Sequence, residues 1–536
     1  MNMIYRGFNQ LTQREWLAVL VCGVLGWLVA WGEGLIRGIP YPSTWDENCM
    51  YLQAQTFALG RLTNPPIEDH LAPFFEEVFT LIQPTRMAKF PPGQGLVLAL
   101  GYHVFGDYVY GVYLSFGLFS AALCWMLFAW TTPRLAVFTT IFMIFQIGIV
   151  NQYSEWPSPI AWTFSYMGQS VTGLGAALLF GGLRRVWTKP TWGHSVAIGL
   201  GLVILSNTRP YEGFLVAVPS ALVLSYFLVK NQIWNHRYLF VTIIFPLGVV
   251  LLLGFLWLAM YNKAVTGNPF VLPYQLHHKQ YFKNPLFLFQ SDQQPTRITF
   301  CPSWMREFYL DNYRPDDLLV HLRWTPRFIF KLNALFCLNP AGILIVVIGC
   351  LGTIQKKWNW FPVLVWTFLM IGFAVQTWSS TFRTSIHYLV PGAPLVYAFF
   401  AESLGSAHAL LRSTFGSLTK WLLLLLLIAG APKEPLVQLA QDIQSRLLVG
   451  PIRTKMHLPM FPVSEELRQC FPSNKHLVFC EEVPFSNEPD IESAFIIWAN
   501  NQGSEANQKL IRLYPDRVVW YVDKQNVLQK STSSLK

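Results

Sequence analysis

Charge is what this sequence has least of. Asp, Glu, Lys and Arg together make up 13% of its 536 residues, against about 25% in a soluble globular domain. That scarcity, with 53% hydrophobic residues and a mean hydropathy of +0.35, excludes an ordinary soluble enzyme and implies a polytopic membrane protein. Metal-ligand spacing is missing as well. The eight cysteines are scattered, with no CxxC and no Cys/His cluster, which excludes a zinc ribbon or a dithiol redox motif. Internal repeats and low-complexity segments are absent. The first apolar run, Trp16 to Ile36, is long enough to span and lacks a small-residue cleavage site, so no cleavable signal peptide is expected.

What is present fits a membrane. The 21 Trp, 21 Tyr and 41 Phe suit a chain rich in interfacial rings. The net charge of +10 raises nucleic acid as a partner, but the basic residues fall mostly in short loops between apolar runs, and no nucleic-acid partner is expected. Apolar runs lie near 16–36, 109–130, 135–151, 166–183, 194–207, 213–229, 239–262, 330–354, 359–378, 388–410 and 417–431. A shorter run, Gly93 to Phe105, decides the topology. If it lies on the surface, every basic connector (Arg6 and Arg14, Arg134, Arg184, Arg185 and Lys189, Lys230 and Arg237, Lys356 and Lys357, Arg412 and Lys420) falls on one side. That positive-inside pattern predicts about eleven transmembrane helices, a cytoplasmic N-terminus and an outer-face juxtamembrane helix.

This topology divides the chain into a transmembrane domain, 1–431, and a small outer α/β module, 432–536. Large outer loops occupy 38–108 and 263–329. In the module, Leu477–Cys480, Phe495–Ala499 and Arg517–Val522 read as strands, with a helix from Ser504 through Tyr514. Cys470 and Cys480 share a compartment that permits a disulfide, and whether they pair is left open.

The ionisable residues worth weighing map to the outer ends of spans. Asp46 and Glu47 sit in Tyr41-Pro-Ser-Thr-Trp-Asp-Glu47, just past the first span. They read either as a helix start, with Thr44 or Asp46 as N-cap, or as a site. Lys89 precedes Phe-Pro-Pro-Gly93, either snorkelling at the interface or facing a ligand. Glu155 is a turn carboxylate or a second acid. Arg209 and Glu212 pair across a turn or line a site, and Arg383 and His387 share one polar turn. Carboxylates able to take a proton, beside cations able to hold a phosphate, suit group transfer from a lipid-linked phosphate. The same inventory serves a transporter or flippase of lipid-linked glycans, or a non-catalytic membrane scaffold. Scarce ionisable residues at mid-span, Glu402 being the main exception, disfavour the transporter.

The ordered motifs resemble the GT-C superfamily of polytopic membrane glycosyltransferases, which includes protein O-mannosyltransferases and aminoarabinose transferases. The resemblance runs from Asp46-Glu47 with Tyr51, Ala54 and Gly60, through Lys89-Phe-Pro-Pro-Gly93 and the juxtamembrane helix, to His387-Tyr-Leu-Val-Pro391. A narrower resemblance, to a group of bacterial membrane proteins within that superfamily, covers nearly the whole chain. It is carried by Ser206-Asn-Thr-Arg-Pro-Tyr-Glu-Gly213, Tyr261-Asn-Lys-Ala-Val-Thr-Gly-Asn-Pro-Phe-Val-Leu-Pro-Tyr274 and Trp498-Ala-Asn500.

The resemblance implies a transferase of the bacterial inner membrane, with its C-terminal domain periplasmic. It would move a sugar from a polyprenyl-phosphate donor to an acceptor that the motifs do not identify. Asp46 aligns with the catalytic base, Glu47 with its neighbour and Lys89 with the lipid-phosphate contact. Glu155 stands where the superfamily often has Asp. Arg209, Arg383 and His387 are phosphate or sugar contacts by position. No nucleotide-sugar fold is implied, and no Rossmann motif is present. No cofactor is expected; Asp46 and Glu47 are of a type that binds divalent ions, but no fixed ligand set accompanies them.

Overall fold

A computed structural model describes residues 2–42, 44–149, 162–232, 237–311, 358, 360–376, 386–419, 423, 437, 440–444, 460–481, 485–523 and 527–530. The N-terminal part is helical: α1 (Asn2–Gln13), α2 (Glu15–Arg37), α3 (Trp45–Ala58) and the single turn α4 (Ala72–Phe75). A two-residue antiparallel hairpin follows, β1 (Thr80–Leu81) with β2 (Met87–Ala88), before α5 (Gly93–Phe105) and the long α6 (Val109–Trp130). Next come α7 (Pro133–Gly148), α8 (Gln169–Thr188), α9 (Trp192–Thr208), α10 (Pro210–Lys230) and α11 (Arg237–Thr266). The second large loop carries α12 (Pro273–Tyr281) and α13 (Ser303–Asp311). After it are α14 (Trp360–Ala374), a 3-10 stretch at Ile386–Gly392 and α15 (Ala393–Phe415).

Among the described residues, α2, α6, α10 and α11 are long and apolar enough to cross a membrane, and α7 and the Trp360–Phe373 part of α14 are shorter apolar helices. The apolar runs near 330–354 and 417–431 lie largely outside the described residues. The 93–105 run forms α5. One face, including Leu98, Ala99 and Gly101, is buried, and the other exposes Leu96, Leu100, Val104 and Phe105. That face is apolar without being long enough to span.

Local chemistry places the breaks. Arg209 precedes Pro210, and its φ of −137° and ψ of 73° are non-helical, so α9 ends and α10 begins at a single residue. In α11 a π-helical turn, Phe240–Ile244, precedes Pro246, which has no N–H to give the helix. Close backbone approach sets α5 against α6. A Cβ on Gly101 would lie 2.1 Å from the Gly111 nitrogen, and one on Gly111 would lie 2.3 Å from the Val97 carbonyl.

The C-terminal part contains α16 (Met460–Cys470), β3 (Lys475–Cys480), β4 (Ile496–Asn500), α17 (Ser504–Leu513), β5 (Arg517–Val522) and β6 (Leu528–Lys530). The strand order is β4-β3-β5-β6, parallel except for the antiparallel β5–β6 pair. One face packs Val478, Trp498 and Trp520 with Leu467 of α16. The other packs Leu477, Phe479 and Ile497 with Leu510 and Ile511 of α17, and with Phe74 and Phe75 of α4 from the first loop. The sheet therefore shares a core with residues some four hundred positions upstream. Cys470 is an exposed free thiol and Cys480 a buried one, so they do not pair.

Candidate functional site

The site starts from a capping box. Thr44 is extended at φ −127°, its hydroxyl accepts from the Glu47 N–H at 3.3 Å, and its own N–H donates to Glu47 Oε2 at 3.1 Å. The other Glu47 oxygen is also taken. It accepts from the Ser165 hydroxyl and, at 2.9 Å, from the Tyr166 N–H. Glu47 is buried at 2% exposure and is not among the residues that line the cavity below. Thr44, not Asp46, caps α3.

Asp46, one residue earlier and about 100° around the helix, is left to face a cavity. That cavity is about 270 Å³ and is lined by Asp46, Lys89, Arg209 and Glu212, with Tyr274, His278 and Tyr388 among its walls. Five distant pieces of chain build it. Gln53 of α3 ties its helix to the Lys89 loop, donating from Nε2 to the Phe90 carbonyl at 3.0 Å and to the Tyr261 hydroxyl at 2.9 Å. Gly93 brings that loop against the α9–α10 break: a Cβ there would lie 2.6 Å from the Asn207 carbonyl. The second loop closes the far side through a bridge between Phe287 and Gln376 and through Tyr211, whose ring lies 5.2 Å from that of Phe287.

Lys89 is 2% exposed, and its ammonium sits 3.3 Å over the Phe79 ring, with Tyr274 at 5.0 Å and Phe90 at 5.1 Å. Burial pulls the amine down to about 7, against the attraction of Asp46. Asp46 is half-buried by surface exposure but enclosed by the cavity walls. Enclosure pushes its carboxyl above the ordinary value, and Lys89 and Arg209 draw it partly back. The Arg209 guanidinium lies 3.8 Å from Glu212 Oε1 and 5.2 Å over the Tyr388 ring. His278 donates from Nε2 to the Asn284 carbonyl at 2.7 Å, and burial lowers it to about 4, so the ring is neutral at physiological pH.

Four of the residues singled out in the sequence, Asp46, Lys89, Arg209 and Glu212, thus meet in one cavity. Glu155 and Arg383 lie outside the described residues. His387 contributes backbone to the 3-10 stretch one position before Tyr388, and its side chain is outside the described set. Tyr274, Gln275 and His278 of α12 are cavity residues that were not singled out for a role. Their signal was a polar cluster, Tyr-Gln-Leu-His-His, following a proline that starts a helix. Among the described residues no three His, Cys, Asp or Glu side chains converge as a metal site.

No protein-family model and no curated protein matches the chain. Solved structures do. The chain is similar to ArnT from Cupriavidus metallidurans bound to undecaprenyl phosphate, at 14% identity and a TM-score of 0.46 over 95% of this chain and 90% of that one. Its apo state matches at 13% and 0.44, over 94% and 89%. The apo oligosaccharyltransferase of Archaeoglobus fulgidus matches at 11% and 0.41, over 86% of this chain and 62% of that one. What this site can do rests on its own residues.

Proposed function

We propose that the protein is a membrane glycosyltransferase that moves a sugar from a polyprenyl-phosphate donor to an acceptor on the outer face of the bacterial inner membrane. One observation carries this reading: Asp46, Lys89 and Arg209 line a single cavity whose remaining walls include Phe90, Leu272, Leu286 and Phe287. A carboxylate, two cations and an apolar wall are what a sugar joined to a lipid phosphate requires.

In the proposed reaction the acceptor hydroxyl or amine attacks the anomeric carbon from the side opposite the phosphate. Its proton passes to the Asp46 carboxylate. The bond between the anomeric carbon and the phosphate oxygen breaks, its electron pair stays on that oxygen, and Lys89 and Arg209 neutralise the growing charge. The anomeric centre inverts. Glu212, 3.8 Å from the Arg209 guanidinium, holds that cation in the cavity wall. Glu47 sets the start of α3 and so aims Asp46 without meeting substrate itself. Glu155, Arg383 and His387 are assigned to the same outer face by topology. The lipid class comes from the sequence resemblance.

This reading includes eleven spans with the N-terminus in the cytoplasm and a periplasmic domain at 432–536. A cysteine placed at Asp107 should then label from the outside only. The deciding experiment replaces Asp46 with Asn and profiles lipid-linked and acceptor glycans by mass spectrometry. Loss of one transferred sugar, with its lipid-linked donor accumulating, is the expected result. An unchanged glycan profile in cells making the D46N protein overturns the assignment.

A further inference from the structure

Between the C-terminal sheet and the cavity lies a fully buried polar node that the proposed reaction does not use. Arg86, 1% exposed, donates from Nη2 to Glu77 Oε1 at 2.8 Å and to the Asn487 carbonyl at 2.7 Å, and from Nη1 to the Glu488 carbonyl at 2.8 Å. Asn487, also 1% exposed, holds the same Glu77 oxygen from its N–H at 3.1 Å and its Nδ2 at 3.3 Å. Its side chain meanwhile pairs with the Trp498 backbone in β4, Nδ2 donating to the carbonyl and Oδ1 accepting from the N–H, both at 2.9 Å. Asn487 thus fastens the C-terminal sheet to the β1–β2 hairpin, at Glu77 before β1 and at Arg86 just before β2.

That hairpin ends at Lys89. Two residues past Glu77, Phe79 is held at φ 64°, a left-handed conformation that a bulky aromatic residue keeps only where its surroundings impose it. Its N–H donates to the Tyr309 hydroxyl at 3.1 Å, and its carbonyl accepts from the Lys89 N–H at 3.0 Å. The ring held this way is the one 3.3 Å below the Lys89 ammonium. A buried ion pair fixed by three backbone contacts therefore anchors the strand two residues before Phe79, the platform under the Lys89 ammonium.

We infer that Asn487 is a positioning residue for Lys89, acting through the Glu77–Arg86 pair and the imposed conformation of Phe79. The C-terminal sheet is on this account part of the cavity's construction. The inference rests on the reading of Lys89 as the phosphate-facing cation, but its test needs no substrate.

The groups facing Lys89 are Asp46 and Cys49 on α3, Arg209 at the α9–α10 break, and Tyr274, His277 and His278 on α12. All remain when Asn487 is changed, so a change in the amine reports its position and hydration. The full-length protein in lipid nanodiscs is acylated with acetic anhydride across a pH series, and Lys89 modification is read by peptide mass spectrometry. In the unaltered protein half-maximal reactivity is expected near pH 7, where burial places the amine. In Asn487→Ala, with Phe79 released and water admitted, the midpoint rises by about one unit or more toward that of an ordinary lysine. Arg61→Ala, which breaks the exposed Arg61–Asp490 pair (2.7 Å) between the same two chain regions, leaves the midpoint where it was.

If N487A is not recovered folded, Arg86→Lys serves. It keeps a positive charge against Glu77 but gives up the fork onto the Asn487 and Glu488 carbonyls, and the same upward shift is expected. A folded variant with an unmoved Lys89 midpoint overturns the inference, and so does an equal shift in R61A. Glycan transfer that persists in D46N would remove the proposed chemistry and leave this result standing.

Discussion

The Lys89 ammonium lies 3.3 Å above the ring of Phe79, in the same cavity as the Asp46 carboxylate. Both groups are displaced toward neutrality by enclosure, the amine downward and the acid upward. Each holds the other partly in its charged form, so neither can be altered without moving its partner.

The first consequence is a pH limb for phosphate binding. The amine titrates at about 7, so it carries the charge that attracts a phosphate below that pH and loses it above. Binding of a polyprenyl phosphate, the donor class of the proposed reaction, followed by native mass spectrometry or tryptophan fluorescence, should weaken as pH rises through this range. A bound phosphate favours the protonated amine, which places the limb of the complex higher. Lys89→Arg, whose guanidinium stays charged, should abolish the limb. A binding curve flat between about pH 5 and 9 in the unaltered protein, roughly two units either side of neutrality, would argue against Lys89 as the anchor.

Asp46→Asn separates two roles. As a lost general base it lowers transfer by about 10²–10⁴-fold. As a lost negative charge it removes what raises the Lys89 amine, so the alkaline limb of binding should move down, not up. On the acid side the raised Asp46 carboxyl predicts that transfer fails at a pH above the ordinary carboxylate value of 3.8. Measuring binding and transfer on the same preparation tests all three signs.

The candidate site was largely legible from position and charge. Asp46, Lys89 and Arg209 stood out as ionisable residues at the outer ends of apolar runs, where burial is costly enough to demand a reason. Which acid of the adjacent pair faces the cavity was also written in the chain, in the Thr44-Trp-Asp-Glu47 spacing of a capping box that commits the second acid to the backbone. What local pattern could not show is the company these residues keep. Tyr274, Gln275 and His278 arrive from a loop nearly two hundred residues beyond Lys89, and nothing in their own neighbourhood specifies where α12 docks. Likewise the continuous β-branched and aromatic run Val518–Val522 is readable as a strand, whereas the insertion of Phe74 and Phe75 into the core of that sheet depends on contacts between distant segments.

Glu47 should prove a determinant of stability and only indirectly of chemistry. Glu47→Ala removes the capping box, worth about 1 kcal/mol, and leaves the Ser165 hydroxyl and Tyr166 N–H without their acceptor, at about 1–3 kcal/mol for buried donors. Thermal unfolding in detergent should fall accordingly, while Ser165→Ala should lose less because the Tyr166 contact persists. A Glu47→Gln protein that retains stability and transfer supports a positioning role. One that keeps stability but loses transfer as completely as D46N would instead place Glu47 among the reacting groups.

Gly93 gives the sharpest test of how the cavity is assembled. The Cβ added by Gly93→Ala would lie 2.6 Å from the Asn207 carbonyl and 2.8 Å from the Thr208 methyl, so either the Lys89 loop or the α9–α10 break must move. Arg209 stands at that break and Lys89 four residues before Gly93, so the two cations are forced apart. Overpacking of this kind costs about 1–3 kcal/mol. The more telling readout is functional: phosphate binding should weaken in G93A even after the stability loss is offset by lower temperature, because one rigid contact sets the separation of both cations. Recovery of normal binding on cooling would mean that the loop relaxes without moving Lys89, and the cavity would then owe its spacing to the Gln53 contacts with Phe90 and Tyr261 instead.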